Sequence, residues 1–219
     1  MNRALLVIAK RPQAGQTKTR LTPPLTGEQA ASLYECLLCD TLDLARTVPA
    51  VSRFVLYTPP AEMDYFEQLA PDFQRLPQQG SGLGARLDNA LTFCLTNGFD
   101  QVVVMNSDGP TLPADHLTQA FDQLNQVDVV LGPSEDGGYY LIGLTQPRPR
   151  LLREVKMSTP VVLQDTLTLA EAEHLTVALL PRWYDVDTGD DLRRLALELR
   201  HADNGLARHT EEFLGRWNQ

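Results

Sequence analysis

Lys10, Arg11, Lys18 and Arg20 crowd into one short stretch that also holds Gly15 and several small residues. Backbone N–H groups of such a loop, together with its ammonium and guanidinium groups, can cradle a di- or triphosphate. It is not a Walker A loop: alignment on Lys18-Thr19 requires glycine at positions 12 and 17, which hold Pro12 and Thr17. The competing explanation is a solvated cationic loop. In a chain of net charge −9, four cations packed together favour the functional one. Asp108 stands just beyond the apolar run Gln101–Met105. There it could ligate Mg²⁺ or Mn²⁺, since hard cations choose carboxylate oxygen, or it could be a turn residue before Gly109-Pro110. Asp185-Val186-Asp187 would place both carboxylates on one side of an extended segment. Either could complete a metal shell begun by Asp108, or cap a helix with Thr188.

Two glycine groups add to this set. Asp136-Gly137-Gly138 lies between two strand-like runs, where Asp-Gly is a hairpin signal. In a functional role, Asp136 would bind an acceptor or take its proton while Gly137 and Gly138 admit it. Gly80-Ser-Gly82-Leu-Gly84-Ala85 nominally satisfies the dinucleotide fingerprint, but Leu76-Pro77-Gln78-Gln79 is a poor strand end to precede it. A glycine-rich helix entry that lets a nucleotide approach the backbone is the better expectation. His116, His174, His201 and His209 fall on predicted helices or their ends, without partner spacing, and are expected at the surface. No G-x-S-x-G elbow supports serine hydrolysis. Arg148, Arg150, Arg153 and Lys156 read as a solvated basic stretch, the alternative being that they face a phosphate.

The elements that must position these groups alternate. Ala4–Ala9 is a continuous apolar run of strand length, as expected of a strand covered on both faces. Thr26-x-x-Gln29 reads as a capping box, and Ala30, Leu33, Tyr34, Leu37, Leu38 and Leu42 continue it as an amphipathic helix. Further strands are predicted at 51–57, 101–105, 129–131, 139–144 and 176–180. Further helices are expected over 83–95 with Gly98 as C-cap, after Pro113, from Pro160, and from about Asp190. This β-α alternation predicts an α/β class with a mostly parallel sheet and helices on both faces. In such sheets ligands sit beyond the carboxyl ends of the strands.

Composition narrows the classes. At 219 residues with 43% hydrophobic and 21% charged side chains the chain is an ordinary globular one, expected to form a single domain over 1–219. The acidic balance argues against nucleic acid and anionic membrane as partners. The N-terminal apolar run is too short for a signal peptide, and no window approaches a membrane span. Cys36, Cys39 and Cys94 form no disulfide framework, and reduced thiols in a cytoplasmic protein are the expectation.

Taken jointly, Lys10-x-Pro12-x-x-Gly15-x-x-Lys18-Thr19-Arg20-Leu21, Asn106-Ser107-Asp108-Gly109-Pro110, Glu135-Asp136-Gly137-Gly138-Tyr139-Tyr140, Ser158-Thr159 and Tyr184-Asp185-Val186-Asp187-Thr188 resemble one bacterial family. It is a GT-A-like family long labelled as of unknown function and often described as arsenosugar-biosynthesis-type glycosyltransferases. The resemblance runs from Ala4 to about Leu195. It implies a nucleotide-diphospho-sugar transferase fold: a Rossmann-like three-layer α/β/α sandwich with a mixed sheet. Relatives include NDP-sugar glycosyltransferases and phospholactate guanylyltransferases.

By that resemblance, Ala9, Lys10, Gly15, Lys18, Arg20, Gly82, Gly84 and Asp108 would bind nucleotide. Asp108 would be the metal aspartate of a degenerate D-x-D in which Asn106 replaces the first acid, with Asp187 and Asp185 as further ligands of Mg²⁺ or Mn²⁺. Asp136, Gly137 and Gly138 would face a small-molecule acceptor. Lys18, Arg20, Asp108 and Asp136 would carry the chemistry. The family commonly has Gly-Ser-Asp and Trp-Ser-Thr where this chain has Asn106-Ser107-Asp108 and Met157-Ser158-Thr159, changes that remove no charge. The first expectation is therefore a metal-dependent glycosyltransferase using an NDP-sugar. The alternative is a nucleotidyltransferase that joins an NTP to a phosphorylated small molecule and releases pyrophosphate. A silent nucleotide-binding module comes third.

Overall fold

The computed structural model describes residues 1–201 and 207–217. The strands are β1 (Arg3–Lys10), β2 (Ser52–Thr58), β3 (Gln74–Pro77), β4 (Gln101–Met105), β5 (Val129–Pro133), β6 (Tyr139–Leu144) and β7 (Val177–Leu179). They form one seven-stranded sheet in the order β3-β2-β1-β4-β6-β5-β7. β6 is antiparallel to both β4 and β5, while every other neighbouring pair is parallel. The α/β class with a mostly parallel mixed sheet is therefore as expected.

The double burial of β1 follows from its composition. Leu5, Val7 and Ala9 point into one core with Leu38, Phe66, Leu117 and Phe121. Ala4 and Leu6 point into a second with Leu87, Leu91, Leu151 and Ala170. A strand with apolar side chains at every position leaves no face for water. The first core is closed by α1 (Gly27–Thr47), α2 (Met63–Leu69) and α4 (Ala114–Gln123), the second by α3 (Leu83–Thr96), α5 (Pro149–Arg153) and α6 (Val162–Ala172). A third cluster joins Leu21, Leu33 and Tyr184 to Leu192 of α7 (Gly189–His201) and Leu214 of α8 (Arg208–Trp217).

Local signals hold where the physics is local. Thr26 and Gln29 form the capping box, with the Gln29 backbone N–H donating to Thr26 Oγ1 at 3.1 Å and the Thr26 N–H to Gln29 Oε1 at 2.8 Å. Gly98 takes φ +94° just past α3, the left-handed turn that ends a helix without Cβ strain. Two expectations are overturned. Gln74–Pro77 is a strand after all: it pairs only with β2, and an edge strand with one neighbour tolerates the proline and the polar side chains. His116 is not a surface residue but is 7% exposed, with Nδ1 3.1 Å from the Tyr140 hydroxyl and its ring edge-on to Trp183. Among the described residues no helix is long and apolar enough to cross a membrane, and Cys36, Cys39 and Cys94 are all free thiols.

Candidate active site

The loops after β1, β4 and β7 converge at the carboxyl ends of the strands. Ser107 donates from its hydroxyl to the Ile8 carbonyl at 2.9 Å, tying the loop after β4 to β1. The Val186 N–H donates to the Asp108 carbonyl at 2.9 Å, which lays the segment Asp185–Asp187 beside Asp108. The consequence is an ion triad around a buried lysine. Lys18 Nζ lies 2.6 Å from Asp108 Oδ1 and 2.8 Å from Asp187 Oδ1, and its side chain is only 6% exposed. Burial would lower the Lys18 pKa, but the two carboxylates outweigh it and hold the ammonium above its usual range. Burial would raise Asp187, and Lys18 likewise outweighs it and keeps that carboxyl below the usual carboxylate range.

Asp185 is placed differently. Its Oδ1 accepts from the Asn106 amide at 2.8 Å and its Oδ2 from the Ser134 hydroxyl at 3.1 Å. This explains the departure from a full D-x-D: an aspartate at 106 would face Asp185 with a second negative charge, where the amide donates instead. Burial and the nearby Asp108 charge push the Asp185 carboxyl well above the ordinary carboxylate value.

Two adjoining cavities open here and share Asp108, Asn106, Leu83 and Ser158. The larger, about 500 Å³, is lined by Lys10, Lys18, Arg20 and Arg86 against Asp108 and Asp187. The smaller, about 240 Å³, is walled by Leu87, Val104, Tyr139, Ile142 and Met157, with Asp108, Asp136 and Asp185 on it. Of the residues expected to bind nucleotide, Ala9, Lys10, Lys18, Arg20 and Asp108 line the larger cavity. Gly15, at φ +74°, lies outside its lining, backed onto Gly27; its neighbour Gln16 takes the place. Gly82 caps α3 at φ +86° and lines a separate cavity with Gly84, Ala85 and Leu152 instead.

Gly84 lies outside the larger cavity's lining, and a Cβ there would fall 2.0 Å from the Leu152 carbonyl oxygen. Its smallness serves the packing of α3 on α5. The Asp136 turn is the expected hairpin. It joins β5 to β6, with Asp136 Oδ1 accepting from the Gly138 N–H at 2.9 Å, and it edges the smaller cavity. Asp136 and Gly138 line that cavity, whereas Gly137 lies outside its lining, where a Cβ would fall 1.9 Å from the Pro160 carbonyl oxygen.

Other cavity residues escaped the sequence. Gln78, 8% exposed, donates from its amide to the Ala9 and Leu56 carbonyls at 2.9 and 3.0 Å and props Arg86. It is the first residue after β3, so recognising that strand would have flagged it. Tyr34 shares a 2.9 Å hydrogen bond with Ser107 and accepts from the Lys10 N–H at 3.2 Å; burial pushes its hydroxyl up to about 12. Within α1 it reads only as part of an apolar stripe. Ser158 adopts φ +62°, an uncommon backbone for a residue with a Cβ.

The model of a family described as "uncharacterized protein conserved in bacteria (DUF2064)" matches residues 41–159. The chain belongs to this family. The DUF2064 protein is 27% identical over 202 residues to the 2-phospho-L-lactate guanylyltransferase of Methanothermobacter thermautotrophicus, covering 90% of this chain and 83% of that one. A crystal structure from Desulfovibrio desulfuricans G20, described as a candidate nucleotide-diphospho-sugar transferase, superposes with a TM-score of 0.92 at 30% identity over 100% of this chain and 96% of that one. The glucosyl-3-phosphoglycerate synthase of Mycobacterium tuberculosis, solved with Mn²⁺ and UDP, shares the fold at 12% identity and a TM-score of 0.54, covering 84% of this chain and 70% of that one. The nucleotide-diphospho-sugar transferase fold is thereby shown, and the chain is an enzyme of the glycosyl- or nucleotidyltransferase kind.

Proposed function

We propose that this DUF2064 protein is a nucleotidyltransferase that joins a nucleoside triphosphate to a phosphorylated small molecule and releases pyrophosphate. The observation that carries the proposal is the larger cavity, where Lys10, Lys18, Arg20 and Arg86 face two carboxylates across about 500 Å³. With Lys18 paired to Asp108 and Asp187, Lys10, Arg20 and Arg86 still leave the lining cationic on balance, which suits a polyphosphate, and ligand sites commonly span about 300–1,000 Å³. The likeness to a guanylyltransferase over nine-tenths of the chain supports the same reading and makes guanine the first base to test.

An acceptor phosphate oxygen would attack the α-phosphorus. The bond from that phosphorus to the bridging oxygen would break, and pyrophosphate would leave with the electron pair. Lys18 and Arg20 would stabilise the charge that builds on the leaving group, the largest contribution expected in such chemistry. Asp108 and Asp187 would hold a divalent cation through the oxygens that the Lys18 ammonium bridges at 2.6 and 2.8 Å, with Asp185 as a further carboxylate beside Asp108. When bound there, Mg²⁺ or Mn²⁺ would neutralise phosphate charge. Asp136 would orient the acceptor at the rim of the smaller cavity.

A thermal-shift screen with mono-, di- and triphosphates and NDP-sugars in Mg²⁺ tests this reading. A ligand at 100 times its Kd adds about 2.7 kcal/mol, and the largest stabilisation is expected from one triphosphate. The second reading, glycosyl transfer to a small acceptor of arsenosugar or other type, is favoured by the D. desulfuricans structure. It would show as stabilisation by an NDP-sugar above every triphosphate.

A further inference from the structure

The two cavities differ in charge as well as in size. The larger is cationic on balance. Among the described residues lining the smaller one there is no lysine, arginine or histidine, while Asp108, Asp136 and Asp185 all reach it. The Lys18 ammonium, beside Asp108 at the border, is already held between Asp108 and Asp187. The hydrogen-bond donors on Asp185, from Asn106 and Ser134, are likewise spent on a carboxylate.

The walls of this space are Leu87, Val104, Ile142, Met157 and the Tyr139 ring. A carboxylate carried into it would lose its hydration against these apolar walls and meet Asp136 with no cationic side chain on the lining to pair with it, an arrangement that costs far more than it returns. An uncharged body loses little there, and an ammonium gains the Asp136 carboxylate at the rim.

We propose that the smaller cavity selects an acceptor whose body is partly apolar and uncharged or amine-bearing, and that it rejects carboxylated acceptors. This deepens the nucleotidyltransferase reading and rests on it: the acceptor's phosphate lies at the shared border by Asp108, and only the remainder of the molecule enters the smaller cavity. The acceptor class therefore differs from that named for the 2-phospho-L-lactate guanylyltransferase, whose substrate carries a carboxylate beside its phosphate.

A matched series isolates the charge. Propane-1,2-diol 2-phosphate, 1-amino-2-propanol 2-phosphate and 2-phospholactate share one scaffold and differ in a hydroxyl, an amine or a carboxylate. Their binding to the full chain, saturated with GDP and Mg²⁺, is measured by titration calorimetry, and pyrophosphate release from GTP is followed separately. The expected result is that the amine and hydroxyl probes bind at least tenfold more tightly than 2-phospholactate, and that Asp136→Asn narrows the gap between amine and carboxylate. Binding of 2-phospholactate as tight as the other two overturns the selectivity. Failure of all three to bind overturns the assignment of this cavity to the acceptor. Absence of pyrophosphate release while the binding order holds counts against nucleotidyl transfer alone, so the two failures are distinct.

Discussion

Lys18 is the side chain on which the site turns. Its ammonium joins Asp108 to Asp187, residues brought together from the ends of two different strands. Lys18→Ala should weaken binding of a triphosphate more than of the matching monophosphate, since each added phosphate loses its counter-charge. Calorimetric titration of both ligands checks this, and equal loss for the two would remove Lys18 from the phosphates. Asp108→Ala should leave the fold intact, the site lying outside the apolar clusters, and abolish the Mg²⁺-dependent part of nucleotide binding; nucleotide titrations with and without Mg²⁺ read this.

Asp185 supplies a pH test. Its folded-state pKa is raised by burial, by Asp108 and by Asp187, against the opposing Asn106 bond and Lys18. The native state therefore holds this proton more tightly than the unfolded chain. Its contribution is full at acid pH and is lost as pH rises from the ordinary carboxylate range through the raised value. Asp185→Asn keeps both hydrogen-bond neighbours and removes the charge. In metal-free buffer it should melt higher than the parent at pH 8, by about 2–4 °C per kcal/mol recovered, with the difference shrinking toward pH 4. A variant that melts lower at pH 8 would mean that Asp185 is compensated in the native state.

The helices and strands show which parts of this molecule a sequence exposes. β1, β4 and β6 are legible because burial on both faces demands unbroken apolar runs. β3 is not, because its single neighbour leaves Gln74, Arg75 and Pro77 free of that demand. Missing β3 hid Gln78 and with it the support of Arg86. His116 was misplaced for a different reason, since its aromatic partner Trp183 is distant in sequence. Glycine is ambiguous in the same way: near a site, one that admits a ligand and one that admits a helix look alike. Gly84→Ala settles which this is. The added Cβ meets the Leu152 carbonyl, so the variant should lose roughly 1–3 kcal/mol of stability yet keep its nucleotide affinity. A weakened affinity with unchanged stability would restore the nucleotide-binding role to Gly84.

At the scale of the whole molecule, charge is partitioned. A chain of net charge −9 gathers Lys10, Lys18, Arg20 and Arg86 on one cavity and leaves the adjoining one acidic. The polyphosphate and the acceptor's uncharged or amine-bearing body would then occupy different cavities, with the acceptor's phosphate at the border beside Asp108. The measurement that tests this account most directly is product analysis. The protein is incubated with Mg²⁺, GTP or another NTP and a set of phosphate monoesters, with parallel reactions given NDP-sugars, and wild type is compared with Asp108→Ala. The account predicts a nucleoside monophosphate joined to one acceptor through a new phosphoanhydride, an equal amount of pyrophosphate, and neither from the variant. Sugar transfer from an NDP-sugar with release of the NDP, and no pyrophosphate from any triphosphate, would contradict it.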